Sequence, residues 1–344
     1  MQALTISSHG GLDRIELRDD LPIPELRKPD DVRIRVRAAA LNHLDLFMVG
    51  GLPGISMTPP WILGADACGV VDAAGPTAGF SVGDYVIVNP GLSDRTCDYC
   101  LEGEQPLCPR FGILGEHFPG TMAELVVVPA PNVRVIPETI PPEQAAAFSL
   151  ATLTAWRMIV TRAGVQPGEN VLIWGIGGGV ALAALEICKN IGARVWAVSG
   201  SNDKLRRAGE LGADELLNRN EVDVAKVIRQ RTNKRGMDVV VDNVGQATWA
   251  QSLLALGKRG RLVTCGGTSG PLLETDVRRL FWNQWSILGS TMGNDAEYDA
   301  IVGELRAGRL LPPVDSVHAL RDGRAAFERL ASAQQFGKVV VRVS

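Results

Sequence analysis

A glycine-rich turn between an apolar run and a helical stretch constrains the fold of this chain more than any other feature. Residues 171–174 are apolar and lead directly into Gly175-Ile176-Gly177-Gly178-Gly179-Val180-Ala181, after which residues 180–191 have helical character. Glycine lets a backbone approach a phosphate closely, and the amides at a helix N-terminus attract anions. Strand, glycine loop and helix in this order predict a pyrophosphate site for a dinucleotide coenzyme.

The sequence around this turn alternates between strand and helix patterns. Strands are predicted at 171–174, 194–198, 238–241, 261–265 and 286–288, and helices between them at 180–191, 203–211, 223–232 and 247–256. Regular alternation of this kind is typical of a doubly wound parallel sheet with helices on both faces. The sequence therefore predicts an α/β domain over residues 151–289.

The first 150 residues have a different pattern of strands and turns. Residues 31–37 alternate polar and apolar side chains, and residues 69–71, 84–88 and 123–128 are further apolar runs separated by Gly and Pro. This pattern predicts a partly closed antiparallel β domain. The last residues end in a predicted strand at 338–343, so residues 1–150 and 290–344 are expected to form this domain together.

The residues after the second strand of the parallel sheet bear on the choice of coenzyme. Ser199, Gly200 and Ser201 stand there, and no carboxylate directly follows the strand. Small hydroxyl residues leave room for a 2′-phosphate, which Lys204 with Arg206 or Arg207 would neutralise. The sequence thus predicts NADP(H) in preference to NAD(H). The predicted coenzyme-binding residues are Gly175, Gly177, Gly178, Gly179, Val180, Ser199, Ser201, Lys204, Asn243 and Gly266.

Three cysteines and an aspartate lie within a short polar lobe, residues 93–109. Asp94, Cys97, Cys100 and Cys108 have the spacing Asp-x2-Cys-x2-Cys-x7-Cys. Three thiolates and a carboxylate make a tetrahedral zinc set, and four protein ligands leave no position open for substrate. The lobe therefore predicts one structural Zn²⁺, and the alternative is a metal-free loop with reduced cysteines.

Composition narrows the range of partners. The formal net charge is −3, no basic run is present, and the apolar stretches are too short to span a bilayer. These features favour neither nucleic acid nor membrane as a partner. We expect a cytoplasmic protein that acts on a small-molecule substrate.

Several phrases, with the lobe and the glycine loop, resemble the medium-chain dehydrogenase/reductase superfamily. They are Gly64-Ala65-Asp66-Ala67-Cys68-Gly69-Val70-Val71, Val82-Gly83-Asp84-Tyr85-Val86, Thr154-Ala155-Trp156, Asp238-Val239-Val240-Val241-Asp242-Asn243-Val244-Gly245 and Gly337-Lys338-Val339-Val340. The resemblance covers essentially the whole chain. It implies a GroES-like catalytic domain, a Rossmann coenzyme domain, and a homodimer or homotetramer.

The resemblance also indicates what the chain lacks. Zinc alcohol dehydrogenases of the superfamily carry catalytic-zinc ligands at the positions of Asn42, Ala65 and Leu150, and these three side chains are not such ligands. The Asn42-x-x-Asp45 arrangement is similar to that of zinc-free quinone and enone reductases. By this resemblance Asn42 would hydrogen-bond a substrate carbonyl or the nicotinamide ribose. Asp45 would support it, paired with Lys338.

A second candidate pair is Glu116 and His117, placed before a Gly-x-x-Ala-Glu stretch. This placement is similar to that of crotonyl-CoA-type enoyl-thioester reductases, although those enzymes carry a His near the position of Thr291. We expect Glu116 or His117 to relay a proton at the site. His43, within the Asn42–Asp45 turn, is another candidate acid.

Together these features predict an NADP(H)-dependent oxidoreductase that transfers hydride to an activated C=C bond, a quinone or an enone without catalytic zinc. One alternative is alcohol/aldehyde interconversion with zinc held by an unusual set drawn from Asp66, Glu116, His117 and His43. The other is a coenzyme-binding protein with little turnover, as in lens crystallins of the superfamily.

Overall fold

The computed structural model describes residues 1–344, and the chain divides into two compact units. The first unit comprises Met1–Ala151 and Asn294–Ser344, and the second comprises Thr152–Gly293. None of the helices has both the length and the apolar character needed to cross a membrane.

The strands are short to medium in length. In chain order they are β1 Ala3–Ile6, β2 Ile15–Arg18, β3 Asp31–Ala40, β4 Trp61–Ile62, β5 Asp66–Ala74, β6 Tyr85–Val88, β7 Gly91–Leu92, β8 Gly112–Ile113, β9 Leu125–Pro129, β10 Val133–Val135, β11 Asn170–Ile173, β12 Arg194–Ser199, β13 Glu215–Asn218, β14 Met237–Val241, β15 Leu256–Thr264, β16 Ser286–Gly289, β17 Val314–Ala319 and β18 Lys338–Arg342.

The helices lie mainly in the second half of the chain. They are α1 His43–Gly50, α2 Asp98–Leu101, α3 Pro142–Ala146, α4 Ser149–Trp156, α5 Gly179–Ile191, α6 Asn202–Glu210, α7 Val224–Arg231, α8 Trp249–Ala255, α9 Val277–Asn283, α10 Asp295–Arg306 and α11 Gly323–Ala331. Helix α4 continues into a π-helical segment, Arg157–Arg162.

The first unit is built on a seven-stranded sheet. Its order is β10-β6-β5-β3-β18-β17, and β9 also pairs with β3. Strand β3 alternates as its sequence predicts, with Val32, Ile34 and Val36 fully buried in the core of this unit. The predicted antiparallel β domain is confirmed, because β3 pairs antiparallel with β5, β9 and β18.

The second unit contains a six-stranded parallel sheet with the order β13-β12-β11-β14-β15-β16. This is the Rossmann order, in which the direction of strand addition reverses between β11 and β14. The apolar run Val171, Leu172 and Ile173 is fully buried because a parallel sheet is covered on both faces. The predicted α/β class is confirmed. The sequence does not predict β13 or α9, since neither has a long enough periodic run.

Candidate functional site

Three buried polar side chains meet in the first unit. The Lys338 Nζ donates to Asn42 Oδ1 at 2.5 Å and to Asp66 Oδ2 at 3.0 Å. The Asn42 Nδ2 donates to the same Asp66 oxygen at 2.9 Å. The side chains of Lys338 and Asp66 are 4% and 0% exposed, so these bonds replace contacts with water. We call Asn42, Asp66 and Lys338 the ammonium triad.

The register of the sheet brings the triad together. Ala40, the last residue of β3, pairs with Asp66 at the start of β5 and with Val340 in β18. Asn42 follows β3 and is the N-cap of α1, whereas Lys338 is the first residue of β18. Three neighbouring strand ends therefore place one amide, one carboxylate and one ammonium side by side.

Asp66 also accepts hydrogen bonds from Leu150 and Thr121. Its Oδ1 accepts a hydrogen bond from the Leu150 N–H at 2.8 Å, and its carbonyl oxygen accepts one from Thr121 Oγ1 at 2.8 Å. Asn42 and Leu150 thus bond to the same carboxylate, and Ala65 is the residue before it. The three positions that the resemblance assigns to catalytic-zinc ligands are gathered around Asp66.

These positions do not supply a catalytic-zinc site. The Asn42 amide is engaged on both sides, and the side chains of Ala65 and Leu150 carry no donor atom. The side chains of Asp66, Glu116, His117 and His43 do not come together as a zinc site. The cluster of possible metal ligands in the structure is the one in the cysteine lobe.

Asp45 lies next to the triad but does not pair with Lys338 as predicted, and that expectation is wrong. Its Oδ2 accepts a hydrogen bond from the Asn42 N–H at 2.7 Å, which completes a capping box at the start of α1. Burial raises the pKa of Asp45 to about 7, although the Asn42 N–H and the Lys338 charge oppose this effect. The pKa of the neighbouring His43 imidazole is lowered, first because the surrounding protein displaces water from the ring and then because of the Lys338 charge.

Glu116 and His117 follow Gly115 in a turn, and neither forms a hydrogen bond to the triad. The His117 Nδ1 accepts from the Ile113 N–H at 3.2 Å and lies 3.8 Å from Glu116 Oε2. Burial raises the pKa of Glu116, and His117 opposes this effect. A Cβ on Gly115 would lie 2.6 Å from the Gly64 oxygen, so the two glycine backbones are in direct contact.

The cysteine lobe gathers its four predicted donors. The ligand atoms of Asp94, Cys97, Cys100 and Cys108 all lie within 4.8 Å of one another. The Asp94 Oδ1 accepts from the N–H groups of Thr96 and Cys97 at 2.9 and 3.0 Å, and these two bonds lower the pKa of Asp94. An ionised carboxylate beside three sulfur atoms fits tetrahedral zinc.

The coenzyme loop lies in the second unit, at the point where the strand order reverses. Gly175 and Gly177 have φ values of 67° and 117°, which side-chain-bearing residues rarely adopt. Gly178 caps α5, so Gly179 and Val180 contribute amides of its first turn. Beside this loop the Trp174 Nε1 and the Asn243 Oδ1 are buried without a hydrogen-bond partner. An unused donor and acceptor at such a loop fit a bound dinucleotide.

The cations that were predicted to bind a 2′-phosphate after β12 have partners within the protein. The Ser199 Oγ accepts from the Ser201 N–H at 3.2 Å, and Ser201 caps α6 by accepting from the Lys204 N–H at 3.4 Å. Arg206 forms ion pairs with two carboxylates on the same helix, those of Asp203 and Glu210. The remaining predicted residue, Gly266, follows β15 and donates its N–H to Thr264 Oγ1 at 3.4 Å.

Two charges from the end of β13 flank the same turn. A Cβ on Gly200 would lie 3.3 Å from the Nε of the exposed Arg219. The exposed Glu221 accepts from Asn202 Nδ2 and Asn218 Nδ2, each at 2.8 Å. The turn therefore faces one cation and one anion.

Similarity to known proteins identifies the family of this chain. Residues 28–138 match the alcohol dehydrogenase GroES-like domain, and residues 179–307 match the zinc-binding dehydrogenase domain. A crystal structure of an NAD-dependent alcohol dehydrogenase is 43% identical, covers 100% of both chains and has a TM-score of 0.96. The chain belongs to the zinc-type alcohol dehydrogenase family of medium-chain dehydrogenases.

Two further members of this family are similar over nearly the whole chain. The cobalt- and zinc-bound thermostable alcohol dehydrogenase of Pyrobaculum aerophilum is 34% identical, covers 100% of this chain and 99% of its own, and has a TM-score of 0.89. The NAD-dependent alcohol dehydrogenase of Sulfurisphaera tokodaii is 29% identical over 333 residues, which are 94% of this chain and 95% of that protein.

These relatives correct the predicted reaction. Reduction of an activated C=C bond, a quinone or an enone with NADP(H) is wrong as the main function, because these three relatives are alcohol dehydrogenases and two of them are NAD-dependent. The structure gives a physical reason. The Asn42 amide, expected to hold the substrate oxygen, already donates to Asp66 and accepts from Lys338.

Sequence reasoning missed the triad and the Trp174 indole. Lys338 is 296 residues from Asn42 along the chain, so no local pattern connects them. The available signal was the lysine at the start of the Gly337-Lys338-Val339-Val340 phrase, together with Asp66 at the start of β5. For Trp174, the signal was a polar indole at the end of a strand that enters the glycine loop.

Proposed function

We propose that this protein is an NAD(H)-dependent dehydrogenase that interconverts an alcohol and its aldehyde or ketone. The observation that carries the proposal is the full-length similarity to an NAD-dependent alcohol dehydrogenase at 43% identity. The glycine loop at the reversal of the parallel sheet supports it, because that position binds dinucleotides in such folds.

In this proposal the residues of the second unit bind the coenzyme, which accepts or supplies the hydride when bound. Gly175 and Gly177 let the backbone approach the pyrophosphate, and the first turn of α5 supplies amide donors. Trp174 Nε1 and Asn243 Oδ1 supply one donor and one acceptor. Beside the turn after β12 the Glu221 carboxylate would repel a 2′-phosphate and Arg219 would attract it, so the choice of NAD(H) rests on the NAD-dependent relatives.

The cysteine lobe is proposed to hold one structural zinc ion. Asp94, Cys97, Cys100 and Cys108 would fill all four coordination positions, so this metal would stabilise the lobe and would not contact substrate. All six cysteines of the chain are free of disulfides, which suits a reducing compartment such as the cytoplasm.

A homo-oligomer is also proposed, with pairing through the edge of the parallel sheet. Strand β16 is the last strand of that sheet, and its Ile287 is exposed. In the preceding helix α9, Phe281 and Trp282 are 63% and 78% exposed. An open strand edge beside exposed aromatic side chains favours burial against a second copy.

The test is a parallel assay of NAD⁺ and NADP⁺ with a panel of primary and secondary alcohols. We expect formation of reduced coenzyme with NAD⁺, and a higher kcat/KM for NAD⁺ than for NADP⁺. Gly177→Val is the control. The φ of Gly177 is 117°, which excludes a β-branched residue, so this variant should not bind the coenzyme. No alcohol oxidation by the wild-type protein, together with rapid NADPH consumption on enones, would refute the proposed activity.

A further inference from the structure

The second unit contains a cleft at the edge of its sheet opposite to the glycine loop. The cleft has a volume of about 430 Å³ and is lined by residues of α7, α8 and α9 and by Trp285. Leu254 lies just before β15 and Trp285 just before β16, so the cleft is at the amino ends of these strands. The glycine loop follows the carboxyl end of β11, which runs parallel to them. The cleft is therefore separate from the proposed pyrophosphate site. We call it the basic cleft, for its lining residues Lys226, Arg229, Leu253, Leu254, Arg279 and Trp285.

Two cations of the basic cleft have donors available to a ligand. Lys226 lies on α7 and Arg279 on α9, and both residues are exposed. No hydrogen bond or ion pair joins either side chain to the rest of the protein. An ammonium offers three N–H donors and a guanidinium offers five in a planar fork that fits an oxyanion.

Arg229 adds a third positive charge that no carboxylate neutralises. It lies three residues after Lys226, on the same side of α7. Burial, and after it the charge of Arg279, lowers the pKa of Arg229, so the two guanidinium groups repel each other. The guanidinium of Arg229 donates to backbone carbonyl oxygens, those of Lys234, Arg235, Leu254 and Leu256. These acceptors fix its position and leave its net charge in place.

The one carboxylate that lines the cleft is already engaged. Asp223 caps α7, and its Oδ1 accepts a hydrogen bond from the Lys226 N–H at 3.0 Å. It forms no ion pair with the cations, so three positive charges face one negative charge. An anion entering the cleft would relieve the repulsion among the cations.

Other basic residues of the second unit show that ion pairing is the usual arrangement there. Arg278 is directly before Arg279 in α9, yet it pairs with Asp276 at 3.2 Å. Further cations that pair with a carboxylate are Lys189, Arg194, Arg206, Arg231, Arg235 and Arg261. The cations of the basic cleft instead converge on a hollow without such a partner.

The rest of the cleft wall is apolar. Leu253 and Trp285 are buried at its base, and Leu254 is 39% exposed. The Trp285 indole is fixed, because its Nε1 donates to the Gly257 carbonyl oxygen at 2.7 Å. The volume of the cleft lies in the range of about 300–1,000 Å³ that is typical of small-molecule sites. Cations beside an apolar wall fit an anionic group carried on an apolar body.

We propose that the basic cleft binds a small organic anion, whose carboxylate or phosphate group accepts hydrogen bonds from Lys226 and Arg279. The apolar body of the ligand lies against Leu254 and Trp285. This site does not depend on the proposed alcohol–carbonyl activity, since it shares no residue with the glycine loop.

The test is isothermal titration calorimetry of the whole chain with octanoate, octyl phosphate, 1-octanol and inorganic phosphate. We expect octanoate or octyl phosphate to bind the wild-type protein at least about tenfold more tightly than inorganic phosphate, because the apolar body adds buried contacts. The tighter of the two identifies the anionic group as a carboxylate or a phosphate ester, and either result supports the proposal.

The deciding variant combines Lys226→Gln with Arg279→Gln. It removes the two unpaired cations and keeps the backbone contacts of Arg229, so the fold should be retained. Its affinity for the tighter anion should fall about tenfold or more, as for loss of charge-assisted hydrogen bonds. Its affinity for uncharged 1-octanol should equal that of the wild-type protein. Arg278→Gln is the matched control, because it removes a charge at the adjacent position outside the cleft and should leave anion affinity unchanged.

Equal affinity of the double variant and the wild-type protein for both organic anions would overturn the proposal, as would no binding of either anion by the wild-type protein. An equal loss in Arg278→Gln would also overturn it, because the effect would then come from net charge. Inorganic phosphate that binds as tightly as octyl phosphate would indicate an adventitious ion only and would refute the organic ligand. Matching circular dichroism spectra and melting temperatures ensure that folded proteins are compared.

Discussion

Asp45 should impose a characteristic pH dependence on stability. This residue is 1% exposed, and its carboxyl accepts a hydrogen bond from the Asn42 N–H at 2.7 Å. Burial raises its pKa from the ordinary value of 3.8 to about 7 in the folded protein. The substitution Asp45→Asn keeps an acceptor oxygen for the Asn42 N–H and removes the titration.

The size of the effect follows from proton linkage. Below about pH 4 the carboxyl is protonated in both the folded and the unfolded chain, and its stabilising contribution is fully present. Between about pH 4 and pH 7 the unfolded chain releases this proton and the folded protein keeps it. The free energy of unfolding then falls by about 1.4 kcal/mol per pH unit. The pKa difference between 3.8 and about 7 makes the total loss on the order of 4 kcal/mol.

The assay is urea unfolding of the wild-type protein and Asp45→Asn at intervals from about pH 5 to about pH 8. The wild-type protein should lose stability relative to the variant as pH rises towards 7, and the difference should then level off. Asp315→Asn is a control of opposite sign. Against the effect of burial, Arg329 lowers the pKa of Asp315, so this substitution should cost stability at neutral pH. A pH-independent difference for Asp45→Asn would refute the reasoning.

Three further predictions concern the other sites. Cys100→Ser should abolish zinc retention and lower stability by about 4 kcal/mol, whereas the buried Cys188 outside the lobe should tolerate serine without loss of zinc; equal zinc contents would contradict this. Trp174→Phe should weaken NAD⁺ binding about fivefold to tenfold by removing one donor, as measured by fluorescence titration, and unchanged affinity would assign the indole no contact with coenzyme. Glu221→Lys should raise kcat/KM for NADP⁺ relative to NAD⁺ about tenfold, and an unchanged ratio would show that Glu221 does not face the ribose.

Local patterns in the sequence were sufficient for most of the fold. The alternation in β3, the buried run before Gly175 and the helical pattern of α5 each depend on neighbouring residues, and each element forms where it was predicted. The cysteine lobe was also predictable, because its four donors lie within one short segment. Strand β13 was not predicted, since the four residues Glu215–Asn218 are too few to establish a period.

The candidate catalytic site depends on contacts that no local pattern contains. Lys338 meets Asn42 only because β18 lies beside β3 in the sheet, and the register places Ala40 opposite Val340. The expected Asp45–Lys338 pair was wrong because Asp45 turns back to cap α1. The lack of zinc ligands at Asn42, Ala65 and Leu150 led to the prediction of C=C or quinone reduction. The structure shows instead that an ammonium group stands beside these positions.

We propose that this zinc-type dehydrogenase holds one structural zinc ion in the cysteine lobe and that the side chains around Asp66 do not form a second zinc site. Elemental analysis of the active protein, purified without added metal or chelator, tests it most directly. We expect one zinc ion per chain in the wild-type protein and none in Cys100→Ser. Two zinc ions per chain in the active wild-type protein would contradict it, because the second would require a catalytic site that the donors around Asp66 do not form.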